Sequence, residues 1–146
     1  AAVGCAQLKK LPHFIEARES NWKMLFEGLK GLKNIFILPE ATPNSDPSWF
    51  GFLLTVKEKA PFSRDGIVNY LESKGIQTRM LFAGNIVKHP CFDEMRRTKK
   101  GYRIIGNLKN TDIVMRRAFW IGVYPGMKNG AIEYIIKTIK NFPKIN

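Results

Sequence analysis

Cysteine and long apolar runs are scarce in this sequence, and each shortage argues against a class of protein. The two cysteines among the 146 residues, Cys5 and Cys91, lie far apart and form no Cys-x-x-Cys pair, which disfavours a disulfide scaffold and a zinc site. We expect both to be unpaired thiols in a reducing compartment. Apolar runs fall well short of the length that crosses a bilayer, so we also expect a cytoplasmic location without membrane contact.

Acidic residues are also few: 12 Asp and Glu stand against 24 Lys and Arg, which gives a formal net charge of +12. Most of these acids fall on predicted solvent faces or at helix caps, so no carboxylate pair can be nominated for acid–base catalysis. Phosphate-binding glycine loops, the Gly-x-Ser-x-Gly motif and paired histidine ligands are missing as well. The residue patterns alone therefore indicate a basic α+β domain without an evident active site, and the charge predicts an anionic partner.

The positive charge is densest in residues 96–103, which we call the basic cluster. It holds Arg96, Arg97, Lys99, Lys100 and Arg103 beside the aromatic Tyr102, a mixture that single-strand nucleic-acid binders use. The other basic residues are scattered, and no zinc-finger, basic-zipper or RNA-recognition signature accompanies them. A solvated loop is the favoured interpretation. A nucleic-acid-binding module is the alternative, and nucleic acid is not the partner we expect.

A nearly unbroken apolar stretch, Ser48–Val56, predicts a central strand around which the rest of the chain packs. The proline-rich segment 39–47 before it cannot be helix or inner strand and is therefore a loop. Gly51 interrupts the strand between two phenylalanines, which suggests that a ligand ring or another large side chain approaches the backbone there. With 45% hydrophobic residues, we predict one domain over residues 1–146.

Hydrophobic periodicity and the positions of glycine, proline and helix-capping residues predict the remaining elements. In chain order they are a long amphipathic helix from Leu11, restarted near Pro12 and ended at Gly31; a strand over 34–38; a helix over 63–74 capped by Ser63 and closed by Gly75; a strand over 76–82; an irregular segment through the basic cluster; a short helix to Arg117 capped by residues 110–112; a strand over 118–124; and a helix with an apolar stripe ending at Phe142. This mixture predicts an α+β fold with a mixed or antiparallel sheet and helices packed on one face.

Four stretches carry a resemblance to a known family: residues 1–12, 38–52, 75–85, and 110–112 together with 119–126. They closely resemble the DegT/StrS-type sugar aminotransferase family of vitamin B6 enzymes, and within it the CDP-4-keto-6-deoxyglucose 3-dehydrases of lipopolysaccharide O-antigen synthesis. The most specific matches are Ser-Trp-Phe-Gly-Phe at 48–52 and Thr-Arg-Met-Leu-Phe-Ala-Gly-Asn at 78–85, where ordinary sugar aminotransferases differ. The resemblance covers the carboxy-terminal part of such an enzyme, and the chain begins Ala-Ala-Val without Met, so we expect a fragment of a longer protein.

The resemblance implies the small C-terminal domain of a fold-type-I enzyme, whose large cofactor-binding domain is absent from this chain. It implies pyridoxamine or pyridoxal phosphate as cofactor, a histidine in place of the usual lysine, and a 2Fe–2S cluster held by cysteines, all in the large domain. This chain alone is then expected to bind no cofactor and to be inactive. The implied partners are a CDP-hexose-type nucleotide sugar, a second subunit in a homodimer, and a flavin iron–sulfur reductase.

The residues expected near substrate and cofactor are Phe50, Arg79, Phe82 and Asn85; Phe50 matches a position where the family has an aromatic, Arg79 can donate to an anion, and Asn85 can hydrogen-bond a sugar hydroxyl. Each has a plainer alternative: Phe50 can be a core aromatic, Arg79 a surface ion pair, and Asn85 a turn former. No catalytic residue and no metal ligand is assigned within the chain. Trp120 and Tyr124 are predicted to be core residues, and His89, which precedes a proline, is predicted to be an exposed loop histidine in preference to a ligand.

Three other functions stay open from the sequence. An ordinary sugar-nucleotide aminotransferase is the nearest, because the resemblance assigns the groups that distinguish the two reactions to the large domain. The nucleic-acid-binding module is the second. A freestanding domain that serves only for dimerisation is the third, and it calls for a more apolar exposed face on the first helix than the sequence provides.

Overall fold

A computed structural model describes residues 1–143 and contains a four-stranded sheet with six α-helices in that range. The elements are α1 (Ala2–Leu8), α2 (Leu11–Leu29), β1 (Phe36–Ile37), β2 (Gly51–Val56), α3 (Arg64–Ser73), β3 (Thr78–Met80), α4 (Asp93–Thr98), α5 (Lys109–Arg117), β4 (Ala118–Gly122) and α6 (Asn129–Lys140). None of the helices described is both long and apolar enough to cross a bilayer. The α+β prediction is confirmed.

The strands lie in the order β1-β2-β4-β3, and every neighbouring pair is antiparallel. The predicted central strand is therefore one of the two inner strands. β4, the last strand in the chain, lies between β2 and β3, so these two run in the same direction without touching. The β2–α3–β3 unit is thus split by a strand that arrives later in the sequence.

One face of the sheet forms the core, because alternate strand residues point the same way. Phe52, Leu54 and Val56 of β2 and Phe119 and Ile121 of β4 are at most 2% exposed. Helices α2, α3 and α6 contribute buried aliphatic residues to the same cluster, namely Leu25, Leu29, Ile67, Leu71, Ile132 and Ile139. The opposite side, which we call the outer face, carries Leu53, Trp120 and Arg79 as direct cross-strand neighbours.

Several predicted helix boundaries are confirmed. The Ser63 hydroxyl accepts a hydrogen bond from the Gly66 amide at 3.2 Å, the expected N-cap of α3. Gly75 follows α3 with φ +76°, the left-handed conformation expected of a glycine that ends a helix. Pro12 lies in the first turn of α2, where its missing N–H removes no helical hydrogen bond.

Three predictions are wrong. Residues 93–98, predicted to be irregular, form α4, because acids in its first turn pair with arginines one turn later. α5 begins at Lys109 after Leu108 at φ +52° and has no side-chain cap, so residues 110–112 lie inside the helix. Tyr124 lies beyond the end of β4 and is 66% exposed, not a core residue.

Candidate functional site

A shallow cleft opens on the outer face where β2 begins and β4 ends. Gly51 and Gly122 are cross-strand partners, so two side chains are missing from this face and the backbone is uncovered. A Cβ atom on Gly51 would lie 3.1 Å from the Ile121 carbonyl oxygen and 3.5 Å from Trp120 Cε3. The large group whose approach Gly51 predicts is therefore the indole of Trp120, which forms one wall of the cleft.

Two exposed phenylalanines extend this wall. Phe50 is 71% and Phe82 is 76% exposed, although aromatic rings of this size are usually buried. The Phe50 ring centroid lies 5.1 Å from that of Trp120, and Phe82 meets Trp120 edge-on at 5.7 Å. The alternative of a core Phe50 is wrong. We call Phe50, Trp120 and Phe82 the aromatic platform.

The polar groups of the cleft come from β3 and the residue before it. Arg79 pairs with Trp120 in the sheet register, and Gln77 lines the same cleft. Arg79 makes no ion pair with any of residues 1–143, so its alternative as a surface salt bridge finds no support there. No carboxylate lines the cleft in the described part of the chain. Its one charge is therefore a cation beside aromatic surface, an environment that favours a ring bearing an anionic group.

Asn85 does not line the cleft but secures the loop that follows Phe82. It is 3% exposed, and its Nδ2 donates to Asp112 Oδ1 at 2.7 Å, while Lys88 Nζ donates to Asp112 Oδ2 at 2.6 Å. Gly84, at φ +65°, brings the loop backbone against α5: an added Cβ would lie 2.6 Å from Met115 Cβ. The loop is thus tied to α5 by a charged hydrogen-bond network.

The electrostatics of this network centre on Asp112. Hydrogen bonds from Lys88 and then from Asn85 lower the pKa of the Asp112 carboxyl below its ordinary value of 3.8, because both favour the charged form. His89 reinforces the same loop, since its Nε2 lies 2.6 Å from the Ala83 carbonyl oxygen and must carry the hydrogen to bond there. His89, predicted to be an exposed loop histidine, does lie in a loop but is half-buried and bonded within the chain.

Two arginines of the basic cluster are engaged in bonds within the chain. Arg96 donates to the carbonyl oxygens of Val87 and His89 and pairs with Asp93, and Arg97 pairs with Glu94. These two cations are therefore neutralised inside the chain. Cys5 and Cys91 are both exposed thiols, and among residues 1–143 no three metal-ligating side chains come together.

The prediction of Trp120 as a core residue is wrong, because it is half-buried on the outer face and lines the cleft, and Gln77 was also missed as a cleft residue. For Trp120 a signal was available: Phe119, Ile121 and Val123 form an alternating apolar set, which places Trp120 on the opposite face of the strand. Gln77 gives no such signal, because a lone glutamine at a strand end is typical of any sheet edge.

Comparison with known proteins identifies the fold that carries this cleft. The model of the DegT/DnrJ/EryC1/StrS aminotransferase family matches residues 1–140.

The chain belongs to the DegT/DnrJ/EryC1/StrS aminotransferase family.

Two relatives of this family are similar over nearly the whole chain. The dTDP-4-dehydro-2,6-dideoxy-D-glucose 3-dehydratase of Saccharopolyspora spinosa is 49% identical over 142 residues, which cover 97% of this chain and 29% of that protein. The lipopolysaccharide biosynthesis protein RfbH of Salmonella typhimurium is 41% identical over 146 residues, which cover 100% of this chain and 32% of RfbH. The chain thus spans about three tenths of the length of these curated relatives.

Solved structures agree with this assignment. The Escherichia coli GDP-4-keto-6-deoxy-D-mannose-3-dehydratase with bound hydrated PLP superposes with a TM-score of 0.80 at 27% identity, over 95% of this chain and 34% of that one. A mutant of GDP-4-keto-6-deoxymannose-3-dehydratase with bound GDP-perosamine superposes with a TM-score of 0.82, also at 27% identity and over 95% of this chain. The chain therefore has the fold of one part of the PLP-dependent sugar-modifying enzymes.

Proposed function

We propose that this chain is the C-terminal small domain of a nucleotide-sugar 3-dehydratase of deoxysugar or lipopolysaccharide biosynthesis, and that its cleft closes over cofactor and substrate. The observation that carries the proposal is the aromatic platform beside Arg79, which forms no ion pair within residues 1–143, in a chain 49% identical to a sugar 3-dehydratase. A ring with a phosphate or other anion matches both features.

The size of the cleft supports a binding site that this chain shares with another domain or subunit. Its volume is ≈ 190 Å³, whereas ligand pockets usually measure about 300–1,000 Å³. The cleft can therefore hold one ring, not a whole nucleotide sugar, so we infer that another domain or subunit supplies the opposite wall. A large cofactor-binding domain and a second protomer of a homodimer are the walls we propose, with a cytoplasmic location.

The residues present fit a role at the edge of a pyridoxamine or pyridoxal phosphate site. When bound, the cofactor supplies an electron sink for loss of a sugar hydroxyl. Among the described residues that line the cleft there is no lysine, so this chain offers the cofactor a wall and no covalent attachment there. The 2Fe–2S cluster and the flavin iron–sulfur reductase belong to the same proposal, outside this chain.

Each cleft residue has a proposed task. Phe50 and Phe82 stack on or abut the sugar or cofactor ring and exclude water from it. Arg79 donates hydrogen bonds to an anionic oxygen, and Gln77 can hydrogen-bond a hydroxyl group. Asn85 acts indirectly, because its bond to Asp112 holds the loop that carries Phe82.

The reaction can be tested with the natural-length polypeptide that contains this chain. It is incubated with CDP-, dTDP- and GDP-linked 4-keto-6-deoxyhexoses, with either L-glutamate or an NADH-driven flavin iron–sulfur reductase as reductant. Mass spectrometry should detect a product lighter by one oxygen atom. A product with an amino group in place of the keto oxygen would instead establish the aminotransferase alternative. No product with any of these three sugars, nor with the dTDP-4-dehydro-2,6-dideoxy-D-glucose for which the 49% identical relative is named, would contradict the proposal.

The part played by this chain can be tested by exchanging one arginine. Arg79→Gln should raise KM for the sugar nucleotide about 10-fold or more, because a charged hydrogen bond to an anion is lost. Arg97→Gln is the matched control, since Arg97 is exposed and pairs with Glu94 on α4. Equal KM values for the two variants would exclude Arg79 as a substrate contact.

A further inference from the structure

The backbone turns abruptly at Trp49, the residue before the platform residue Phe50. Trp49 has φ +49°, a left-handed conformation that a bulky residue rarely adopts and that strains the backbone. Strand alternation continued backwards from Phe52 would place Phe50 on the core face. Instead Phe50 is exposed and contacts Trp120 on the outer face. The unusual turn is therefore what diverts Phe50 into the cleft.

Two contacts from α2 hold this turn. Arg18 Nη1 donates to the carbonyl oxygens of Trp49 at 3.0 Å and Phe50 at 3.3 Å. The Trp22 ring stacks on the Trp49 ring with centroids 4.1 Å apart and planes 5° apart, and the Phe26 ring stacks on Trp22 at 5.2 Å. Arg18 and Trp22 are four residues apart, so they lie on the same stripe of α2, and this stripe contacts residues 49 and 50.

We infer that Arg18 is a positioning residue: it acts through the Trp49 turn to aim Phe50 at the ligand of the cleft. Arg18 does not line the cleft itself. A strained conformation persists only where its surroundings hold it. One nitrogen of Arg18 makes both bonds, and it lies one bond farther from the backbone than the ammonium nitrogen of a lysine, so Arg18→Lys should lose both. The ligand in this inference rests on the proposed function, whereas the orientation of Phe50 does not.

The orientation is tested first, without any ligand. Position 50 of the natural-length polypeptide is replaced by 4-fluorophenylalanine, and its ¹⁹F resonance is compared in the parent, Arg18→Lys and Arg96→Lys proteins. Arg96 is the matched control, because it also donates to two backbone carbonyls, those of Val87 and His89. We expect Arg18→Lys to shift or broaden the resonance and Arg96→Lys to leave it in place. An unmoved resonance in Arg18→Lys would overturn the inference.

The link to the ligand is tested with a double-mutant cycle. Binding of dTDP-glucose, CDP-glucose and GDP-mannose is measured by calorimetry for Arg18→Lys, Phe50→Ala and the double variant. Arg18→Lys should weaken binding about 2-fold to 10-fold, the range of one aromatic contact, and should cause no further loss in the Phe50→Ala background. The same loss in both backgrounds means that Arg18 does not act through Phe50, which would overturn the inference.

The failures of the two proposals are distinguishable. If the parent protein binds none of the three nucleotide sugars, the proposed substrate is wrong, and the ¹⁹F comparison still decides whether Arg18 orients Phe50. If the sugars bind but Arg18→Lys changes only the urea midpoint of unfolding, as Arg96→Lys should, Arg18 is structural and the positioning inference fails.

Discussion

Phe50 and Phe52 are two residues apart and identical in type, yet they occupy opposite environments. Phe52 is fully buried and Phe50 is 71% exposed. Phe52→Ala should lower the free energy of unfolding by about 3–5 kcal/mol, the usual result of removing a core phenylalanine. Phe50→Ala should change it by less than about 0.5 kcal/mol. Urea unfolding curves of the two variants make the comparison, and a comparable loss in both would mean that Phe50 is part of the core.

Phe50 and Phe52 also show how well the burial of a strand residue can be predicted from the sequence. Within β2 the buried residues Phe52, Leu54 and Val56 follow period-two alternation. It cannot assign Phe50, because the rule stops at Trp49, where the backbone enters the left-handed region. That turn depends on Arg18, which lies far away in the sequence, and a contact across that distance leaves no local signal.

The loop between β3 and α4 is tied to α5 through Asp112, and this connection should respond to pH. The pKa of Asp112 is lowered in the folded chain, so its contribution to stability is complete above the ordinary pKa of 3.8 and is lost as pH falls through the folded value. Asp112→Asn keeps the shape but removes the charge. Urea midpoints measured on the acid side of pH 4 should therefore fall less steeply in this variant than in the parent.

Glu133→Gln is the control for that series, because Glu133 lies on the exposed side of α6. Its acid limb should follow that of the parent. If Asp112→Asn follows the parent as well, the hydrogen bonds from Lys88 and Asn85 do not stabilise the charged carboxylate, and the loop is held by the packing of Gly84 on Met115 instead.

Among the helices and strands, the sequence best predicts the features that depend on residues close together in the chain. The caps of α3 and the apolar stripe of α6 depend on residues close together in the chain, and both are confirmed. α4 was missed because six residues with one large apolar side chain, Met95, provide no stripe to detect. The position of β4 between β2 and β3 could not be predicted. The order of strands along the chain does not show which strand will later insert between two earlier ones.

Helix α1 contributes little to the stability of the whole molecule. None of the α1 residues is buried, and Val3 and Leu8 are 74% and 65% exposed. Deleting residues 1–8 should therefore change the free energy of unfolding by less than about 1 kcal/mol. Deleting the equally long segment 136–143, which contains the buried Ile139 and Phe142, is the contrasting case and should be severely destabilising. A large loss on removing residues 1–8 would show that α1 packs on the domain in solution.

The order of the strands has a consequence for biosynthesis. β2 and β3 leave the ribosome well before β4, the strand that each of them requires as a partner. Until β4 emerges, β3 has no hydrogen-bonded neighbour and β2 presents one bare edge, a condition that invites pairing with other nascent chains. A message cut short before residue 118 would thus yield a product that keeps the β1–β2 pair but lacks the strand that joins β2 to β3. The inner half of the sheet can therefore form only after β4 has been made.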